Sequence, residues 1–218
     1  MTGEDGTGLV IPELRVYDAR HDEDIILRNV GVDPDYVRDA NGRVMYFDVN
    51  EGQSYLAEQG KSVPSLPLLV NLYITLSNLT TENEMAAQFV SQLNNAWDRT
   101  STSINPSGTI IHSDAISGEI TCEGLTIPQQ GSDISLLFSN NKRFFQTLLG
   151  VRDIDRLAEI AAWNDLVPFY WYPRGERRAM FGGGDFYHMH QYIPGLLMVF
   201  CDDEAHPRRV LRGVWQER

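Results

Sequence analysis

The 218-residue chain carries 30 acidic side chains against 18 lysine and arginine side chains, so its formal net charge is -12. Without a basic stripe to release phosphate counterions, this balance disfavours nucleic acid as a direct partner. Only Lys61 and Lys142 are lysines; the other sixteen cations are arginines. An acid-rich, lysine-poor surface stays solvated in concentrated salt, which predicts a salt-loving host, with GC-rich coding as the alternative explanation.

Cysteine usage and hydropathy exclude two further classes. Cys122 and Cys201 are too few for a disulfide framework, and both lie in apolar runs, so buried free thiols are predicted. No window approaches the roughly 18 apolar residues of a membrane span. The acidic N-terminus lacks the apolar segment of a signal peptide, so synthesis and folding in the host cytoplasm are expected.

The first half of the chain predicts mostly strands. Pro12 interrupts an apolar strand pattern over Leu9–Tyr17, which predicts an edge strand or an arm. Residues 1–20 are expected to form an extended N-terminal arm. Residues 21–218 are expected to form a single β-rich domain. Asn41-Gly42 is typical of a tight hairpin turn. The segment Leu66–Ser77 alternates apolar and polar residues and is predicted to be the clearest strand.

One long helix is predicted next. Thr81 and Glu84 have the spacing of a capping box, and an apolar stripe of helical period continues to about Asp98. Residues 99–108, RTSTSINPSG, are then expected to be an exposed polar loop. Strands are predicted to resume over residues 109–111, 116–122, 125–127 and 134–138.

Two short helices are predicted as an insertion around residues 139–164. Asn140 or Asn141 would cap the first, with Gly150 as its end, and Asp153 would cap the second. The C-terminal third predicts strands over residues 167–172, 179–181, 186–193, 196–200 and 209–215. Strands occur in runs rather than alternating with helices. This favours a mainly β, α+β fold: an antiparallel β-sandwich or barrel with one long helix and two short appended helices.

A possible metal site lies in the segment Gly182-Gly-Gly-Asp-Phe-Tyr-His188-Met-His190. Residues two apart in a strand share a face, so His188 and His190 would reach one ion. The spacing resembles the first metal motif of cupins, although Pro194 and Gly195 stand where that motif has a glutamate. The resemblance implies a metal-dependent enzyme. Its alternative is the ordinary polar face of a strand.

The segment from Val167 to Gly183, VPFYWYPRGERRAMFGG, combines an aromatic strand, an Arg-Gly turn and a second strand. It resembles a hairpin of tail and baseplate proteins of tailed viruses. The resemblance implies a subunit of a homo-oligomeric ring in a virion, whose arm, loop 99–108 and hairpin 168–181 contact copies of itself and other virion subunits. The interface candidates are Tyr170, Trp171, Tyr172, Arg174, Arg177 and Arg178.

The sequence contains no complete catalytic motif, so neither enzymatic activity nor a cofactor is expected. The preferred hypothesis is a structural subunit of a virion tail or baseplate from a virus with a haloarchaeal host. The alternatives are the cupin-like enzyme with His188 and His190 as metal ligands, and a ligand-binding β-sandwich that uses the same aromatic residues.

Overall fold

The computed structural model describes residues 8–47, 49–128, 134–170, 177–188, 191–201 and 209–217. Its helices are α1 (Val49–Ala57), α2 (Leu66–Ser77), α3 (Glu84–Leu93), α4 (Ile134–Asn140), α5 (Lys142–Leu149) and α6 (Ile154–Trp163). Its strands are β1 (Leu9–Asp18), β2 (Glu23–Val32), β3 (Trp97–Ile104), β4 (Ile110–Asp114), β5 (Gly118–Cys122), β6 (Val167–Tyr170), β7 (Arg177–His188), β8 (Gln191–Cys201), β9 (Arg209–Val210) and β10 (Val214–Gln216).

These strands form two sheets. The smaller sheet is antiparallel, with the order β1-β2-β10. The larger has the order β5-β4-β3-β7-β8-β6, and β9 pairs with β3 beside β4. The larger sheet is mixed, because β6 runs parallel to β8 and β9 runs parallel to β3. The predicted α+β class is therefore confirmed, and among the described strands neither sheet closes into a barrel.

The segment predicted as the clearest strand is instead the central helix α2. Ser65 caps its N-terminus by accepting a hydrogen bond from the Leu68 amide, and Pro67 lies in the first turn, where no intrahelical donor is required. The helix contacts β1 of one sheet and β3 and β7 of the other. Because helix α2 is enclosed by other elements, it has apolar residues on most of its sides. The alternation of apolar and polar residues in this segment therefore wrongly indicated a strand.

The predicted exposed loop 99–108 is also wrong over most of its length. Residues 97–104 form β3, a central strand of the larger sheet, and the predicted long helix ends at Leu93. Thr100, Ser101 and Thr102 are buried. The Thr100 hydroxyl donates to the Ala179 carbonyl at 2.6 Å, so part of this polar strand is satisfied by hydrogen bonds inside the fold.

Within the predicted N-terminal arm, residues 9–18 form β1, which pairs with β2 along its length. Leu9, Ile11, Leu14 and Val16 lie in the main hydrophobic core. This part of the segment is a strand of the chain's own sheet rather than an arm that reaches a neighbour. Its alternating burial is what an amphipathic edge strand packed against α2 requires.

The helical segment shows which local signals were reliable. Gly150 ends α5 in the left-handed conformation with φ 61°, and the Asp153 side chain caps α6, both as predicted. Residues 134–138, predicted as a strand, belong to α4. No described strand covers residues 125–127.

The Asn41-Gly42 turn is formed, with Gly42 at φ 77°, but its arms pair only through the Arg38–Val44 bridge.

The C-terminal strands differ from the predicted hairpin over residues 168–181. Strand β8 lies between β6 and β7, so these two strands do not pair with each other. Instead, β7 and β8 form one long antiparallel hairpin from Arg177 to Cys201.

None of the described helices is long and apolar enough to cross a membrane. Cys122 is a buried free thiol on β5, as predicted.

Candidate interface at the end of the β7–β8 hairpin

The β7–β8 hairpin is longer than the strands beside it. On one side, β3 begins at Trp97, which pairs with Gly182 of β7. On the other, β6 begins at Val167, which pairs with Leu196 of β8. Beyond the Gly184–Leu196 pair, the described strands of the hairpin pair only with each other. We call residues 185–195 the hairpin end; residues 189 and 190 within it lie outside the described part of the chain.

Three backbone pairs give the register of the hairpin end. Phe186 pairs with Ile193, Tyr187 with Tyr192 and His188 with Gln191, after a register shift that follows Gly184. Four residues of strand, from 185 to 188, add about 13 Å of length. The hairpin end therefore carries aromatic and β-branched residues, and its outer backbone groups have no strand partner among the described residues.

Glycine at position 182 lets β7 pass close to the chain that enters β3. A Cβ on Gly182 would lie 2.0 Å from the Ala96 carbonyl oxygen, and its φ of 153° is one that other residues rarely adopt. Gly182 and Gly184 therefore permit a close backbone approach to Ala96 and Asn95 near the point where the hairpin leaves the sheet. The sequence signal was visible as Gly-Gly-Gly, although it was interpreted as part of a metal motif.

The predicted interface residues do not gather on one described surface. Tyr170 is 1% exposed, and its ring packs 5.8 Å from that of Phe144 and 5.2 Å from that of Phe145. It is a core residue rather than an exposed anchor. Arg178 is half-buried and donates to the Ser101 carbonyl at 3.1 Å. Trp171, Tyr172, Arg174 and the side chain of Arg177 lie outside the described residues.

Of the two predicted metal ligands, His188 and His190, the structure describes only the backbone of His188. His188 is the last residue of β7, and its backbone pairs with that of Gln191 in β8. The side chain of His188 and the whole of His190 lie outside the described residues. Among the residues that are described, no three His, Cys, Asp or Glu side chains form a group that could hold a metal ion. Metal binding by this histidine pair stays a prediction.

A buried ion pair joins the C-terminal segment to the centre of the larger sheet. Arg212 and Asp98 are both fully buried, and Arg212 Nε donates to Asp98 Oδ2 at 2.7 Å. Arg212 Nη1 also donates to the carbonyls of Asp33 and Pro34, at 2.9 Å and 2.7 Å. The pair thereby connects three segments that are far apart in the sequence.

Aromatic rings enclose this pair. The Arg212 guanidinium carbon lies 4.4 Å from the centre of the Phe89 ring and 4.8 Å from that of Tyr36. Burial raises the pKa of Asp98, and the charge of Arg212 opposes that rise. Burial also raises the pKa of Tyr36, whose hydroxyl donates to the Gln92 carbonyl. The arrangement is enclosed by its own chain, which suits a structural role.

His112 forms a second buried polar network, between β4, α2 and α5. Its Nε2 lies 3.0 Å from the Thr147 carbonyl, and because a carbonyl only accepts, Nε2 carries the proton. Thr102 Oγ1 accepts from the Leu66 amide at 2.8 Å and lies 2.9 Å from His112 Nδ1, so its hydroxyl donates to Nδ1. Burial lowers the pKa of His112 to about 4, and the neutral ring suits every partner.

Sequence reasoning missed both networks. Asp98 and Arg212 are separated by more than a hundred residues in the sequence. His112 lies in a short strand of ordinary composition. No local pattern marks either network, because the partners meet only in the folded sheet.

No protein-family model, no curated protein and no solved structure matches this chain. The clearest contrast in the chain's own geometry is that between the enclosed interior and the hairpin end.

Proposed function

We propose that this protein is a structural subunit of a larger assembly and that it contacts neighbouring subunits through the hairpin end, residues 185–195. The observation that supports this most is the register of β7 and β8, which continues beyond the strands on both sides. Unpaired strand edges favour pairing with another chain, and assemblies use this property to add strands across a subunit boundary.

The residue types of the hairpin end agree with this role. Phe186, Tyr187, Tyr192 and Ile193 fall within eight consecutive positions. Aromatic residues are enriched in the cores of protein interfaces, because they bury a large area at a small cost in side-chain entropy. A ring of identical subunits would place each hairpin end against the neighbouring copy, which is a heterologous contact that closes by rotation.

The proposed assembly is the tail or baseplate of a virion that infects a haloarchaeal host. Composition supports this part of the proposal through the acid excess and the two lysines. The resemblance of residues 167–183 to tail proteins supports it as a sequence pattern only, since those residues do not form the expected hairpin. In this proposal the two sheets act as the layers of a rigid, sandwich-like frame with α2 between them.

The experiment compares the molar mass of the full chain with that of a shortened variant. In the variant, residues 185–195 are replaced by an Asn-Gly turn, which suits a two-residue connection between Gly184 and Leu196. Light scattering after size-exclusion chromatography in about 1 M KCl, where the screening length is about 3 Å, should give an oligomer for the full chain and a monomer for the variant.

Tyr46→Ala is the matched control, because Tyr46 is also aromatic and 53% exposed but lies far from the hairpin in the sequence. This variant should retain the oligomer. A monomeric full chain at all accessible concentrations would overturn the proposal, as would an unchanged oligomer in the shortened variant. The saline host has its own test: the unfolding temperature should rise with KCl concentration, and a constant value would contradict it.

A further inference from the structure

An open groove of about 480 Å³ lies where helices α3 and α6 end. Its polar lining comes from Thr80, Ser91, Asn94, Asn95, Asn164 and Asp165, and Gly184 borders it at the base of the hairpin. Asn94 and Asn164 are the residues that directly follow α3 and α6. The groove therefore combines hydroxyl, amide and carboxylate side chains on a framework of two helix termini.

The two central amides of the groove are held in place. The Tyr73 hydroxyl donates to Asn94 Oδ1 at 2.9 Å, and Asn94 Nδ2 donates to Asn164 Oδ1 at 3.1 Å. Asn164 Nδ2 in turn donates to the Ile160 carbonyl at 2.8 Å. A primary amide has two N–H donors and two lone pairs on its oxygen, so each amide keeps capacity for a ligand. Groups fixed in this way lose little freedom when a ligand binds.

An exposed tryptophan directly precedes the lining residue Asn164 in the sequence. Trp163 is the last residue of α6, directly before Asn164, and it is 61% exposed. The Arg156 guanidinium carbon lies 4.5 Å from the centre of its ring. Arg156 Nη2 also donates to Asn78 Oδ1 at 2.9 Å, in the connection between α2 and α3 that contains Thr80. Arg156 thus links the tryptophan to the α2–α3 connection, which carries the lining residue Thr80.

These groups match a sugar better than they match other ligands. Sugar hydroxyls both donate and accept, as amides and hydroxyls do, while the C–H face of a sugar ring packs on an aromatic plane. Asp165 and the negative ends of two helix dipoles disfavour an anion. The polar lining disfavours a wholly apolar ligand, because amides and hydroxyls would lose water without replacement.

We propose that this groove binds a neutral oligosaccharide, with one sugar ring on Trp163 and hydroxyl groups hydrogen-bonded to Asn94, Asn95, Asn164 and Asp165. The site is separate from the hairpin end and does not depend on assembly. It would give a subunit of an assembly the ability to recognise a glycan surface, and it would equally serve a monomer.

The test uses the full chain and neutral hexasaccharides of glucose, mannose and galactose, each in its α- and β-linked form. Isothermal titration calorimetry and tryptophan fluorescence should detect binding of at least one of them. Trp163→Ala should raise that dissociation constant roughly tenfold or more, which corresponds to about 1.4 kcal/mol. Asn95→Ala should raise it less, because Asn95 is exposed and contributes one amide.

Tyr46→Ala serves again as the control and should bind as the unmodified chain does. The proposal is overturned if none of the six hexasaccharides binds, or if Trp163→Ala binds the positive one unchanged. Light scattering on the same samples separates the two proposals, because Trp163→Ala should leave the molar mass unchanged. A circular dichroism spectrum identical to that of the unmodified chain shows that the variant is folded.

Discussion

The interior around α2 and the hairpin end are built in opposite ways. Helix α2 contacts strands of both sheets, and the adjoining Asp98–Arg212 pair joins segments from three parts of the chain. The described strands of the hairpin end pair only with each other beyond Gly184. Under the proposed function, stability and intermolecular contact reside in different residues, so substitutions should affect one without the other.

The Asp98–Arg212 ion pair shows why the stability of the interior should be sensitive to substitution. Asp98 Oδ1 and Arg212 Nη2 have no hydrogen-bond partner among the described residues. Desolvation of the two charges is therefore offset mainly by their mutual attraction, the carbonyl contacts and the aromatic rings. Such a pair contributes little net stability compared with apolar residues, but the loss of one partner leaves a buried charge.

The largest expected effect is that of Asp98→Asn. The substitution preserves shape but leaves the Arg212 guanidinium without its counter-charge, which should lower the free energy of unfolding by about 3–5 kcal/mol. Urea-induced unfolding in about 1 M KCl measures it. Asp22→Asn is the control, because it removes an exposed ion pair with Arg152 and should have a much smaller effect. Equal effects of the two variants would contradict the structural role of the buried pair.

The next effect is a loss of stability in acid through His112. Its folded pKa of about 4 lies below the ordinary value of 6.5, so the unfolded chain binds a proton first. Stability should fall as the pH drops from about 6.5 to about 4, by at most ~3 kcal/mol from this residue. Asp114, Asp18 and Arg20 are the charged groups that act on this ring in addition to its hydrogen-bond partners.

The variant His112→Gln isolates the contribution of His112, because a glutamine side chain binds no proton between about pH 4 and about pH 6.5. Chemical unfolding of both proteins at several pH values should give a smaller acid-dependent loss for the variant. Parallel pH profiles would show that another group causes the acid sensitivity.

A smaller effect is expected where the hairpin leaves the sheet. Gly182→Ala would place a Cβ 2.0 Å from the Ala96 carbonyl oxygen, so the backbone must shift, at a cost of about 2 kcal/mol. Gly42→Ala is the matched control, because Gly42 also has a positive φ but open space around its Cβ position. Thermal unfolding should show a larger decrease for Gly182→Ala than for Gly42→Ala. The reverse order would mean that β7 does not pass close to Ala96.

Much of the local structure could be predicted from sequence, because its causes are local. Gly150 and Asp153 define the end of α5 and the start of α6 through their own backbone and side-chain preferences. Asn41-Gly42 forms its turn for the same reason. These signals depend on a few neighbouring residues and need no tertiary partner.

The errors arose where tertiary contacts decide the outcome. In α2, Val70, Leu72 and Leu76 alternate as in a strand, but a helix enclosed by both sheets also needs apolar residues in those positions. In β3, Thr100 and Thr102 were interpreted as a loop because the sequence does not show their buried hydrogen-bond partners. Tyr170 was predicted to be exposed for a similar reason, since Phe144 and Phe145 reach it from α5.

The candidate interface was less predictable than the fold. The aromatic residues of the hairpin end are visible in the sequence, but their importance depends on where β3 and β6 begin relative to β7 and β8. That register is a property of four strands together. The groove between α3 and α6 was equally hard to predict from the sequence, because Asn94 and Asn164 meet only through the packing of the helices that they follow.

Hydrogen exchange of the full chain, measured at low and high protein concentration in about 1 M KCl, tests the central claim most directly. Assembly through the hairpin end predicts slower amide exchange in residues 185–195 at high concentration, with unchanged exchange in β4 and β5. Unchanged exchange at the hairpin end in an oligomer that protects another region would contradict the account.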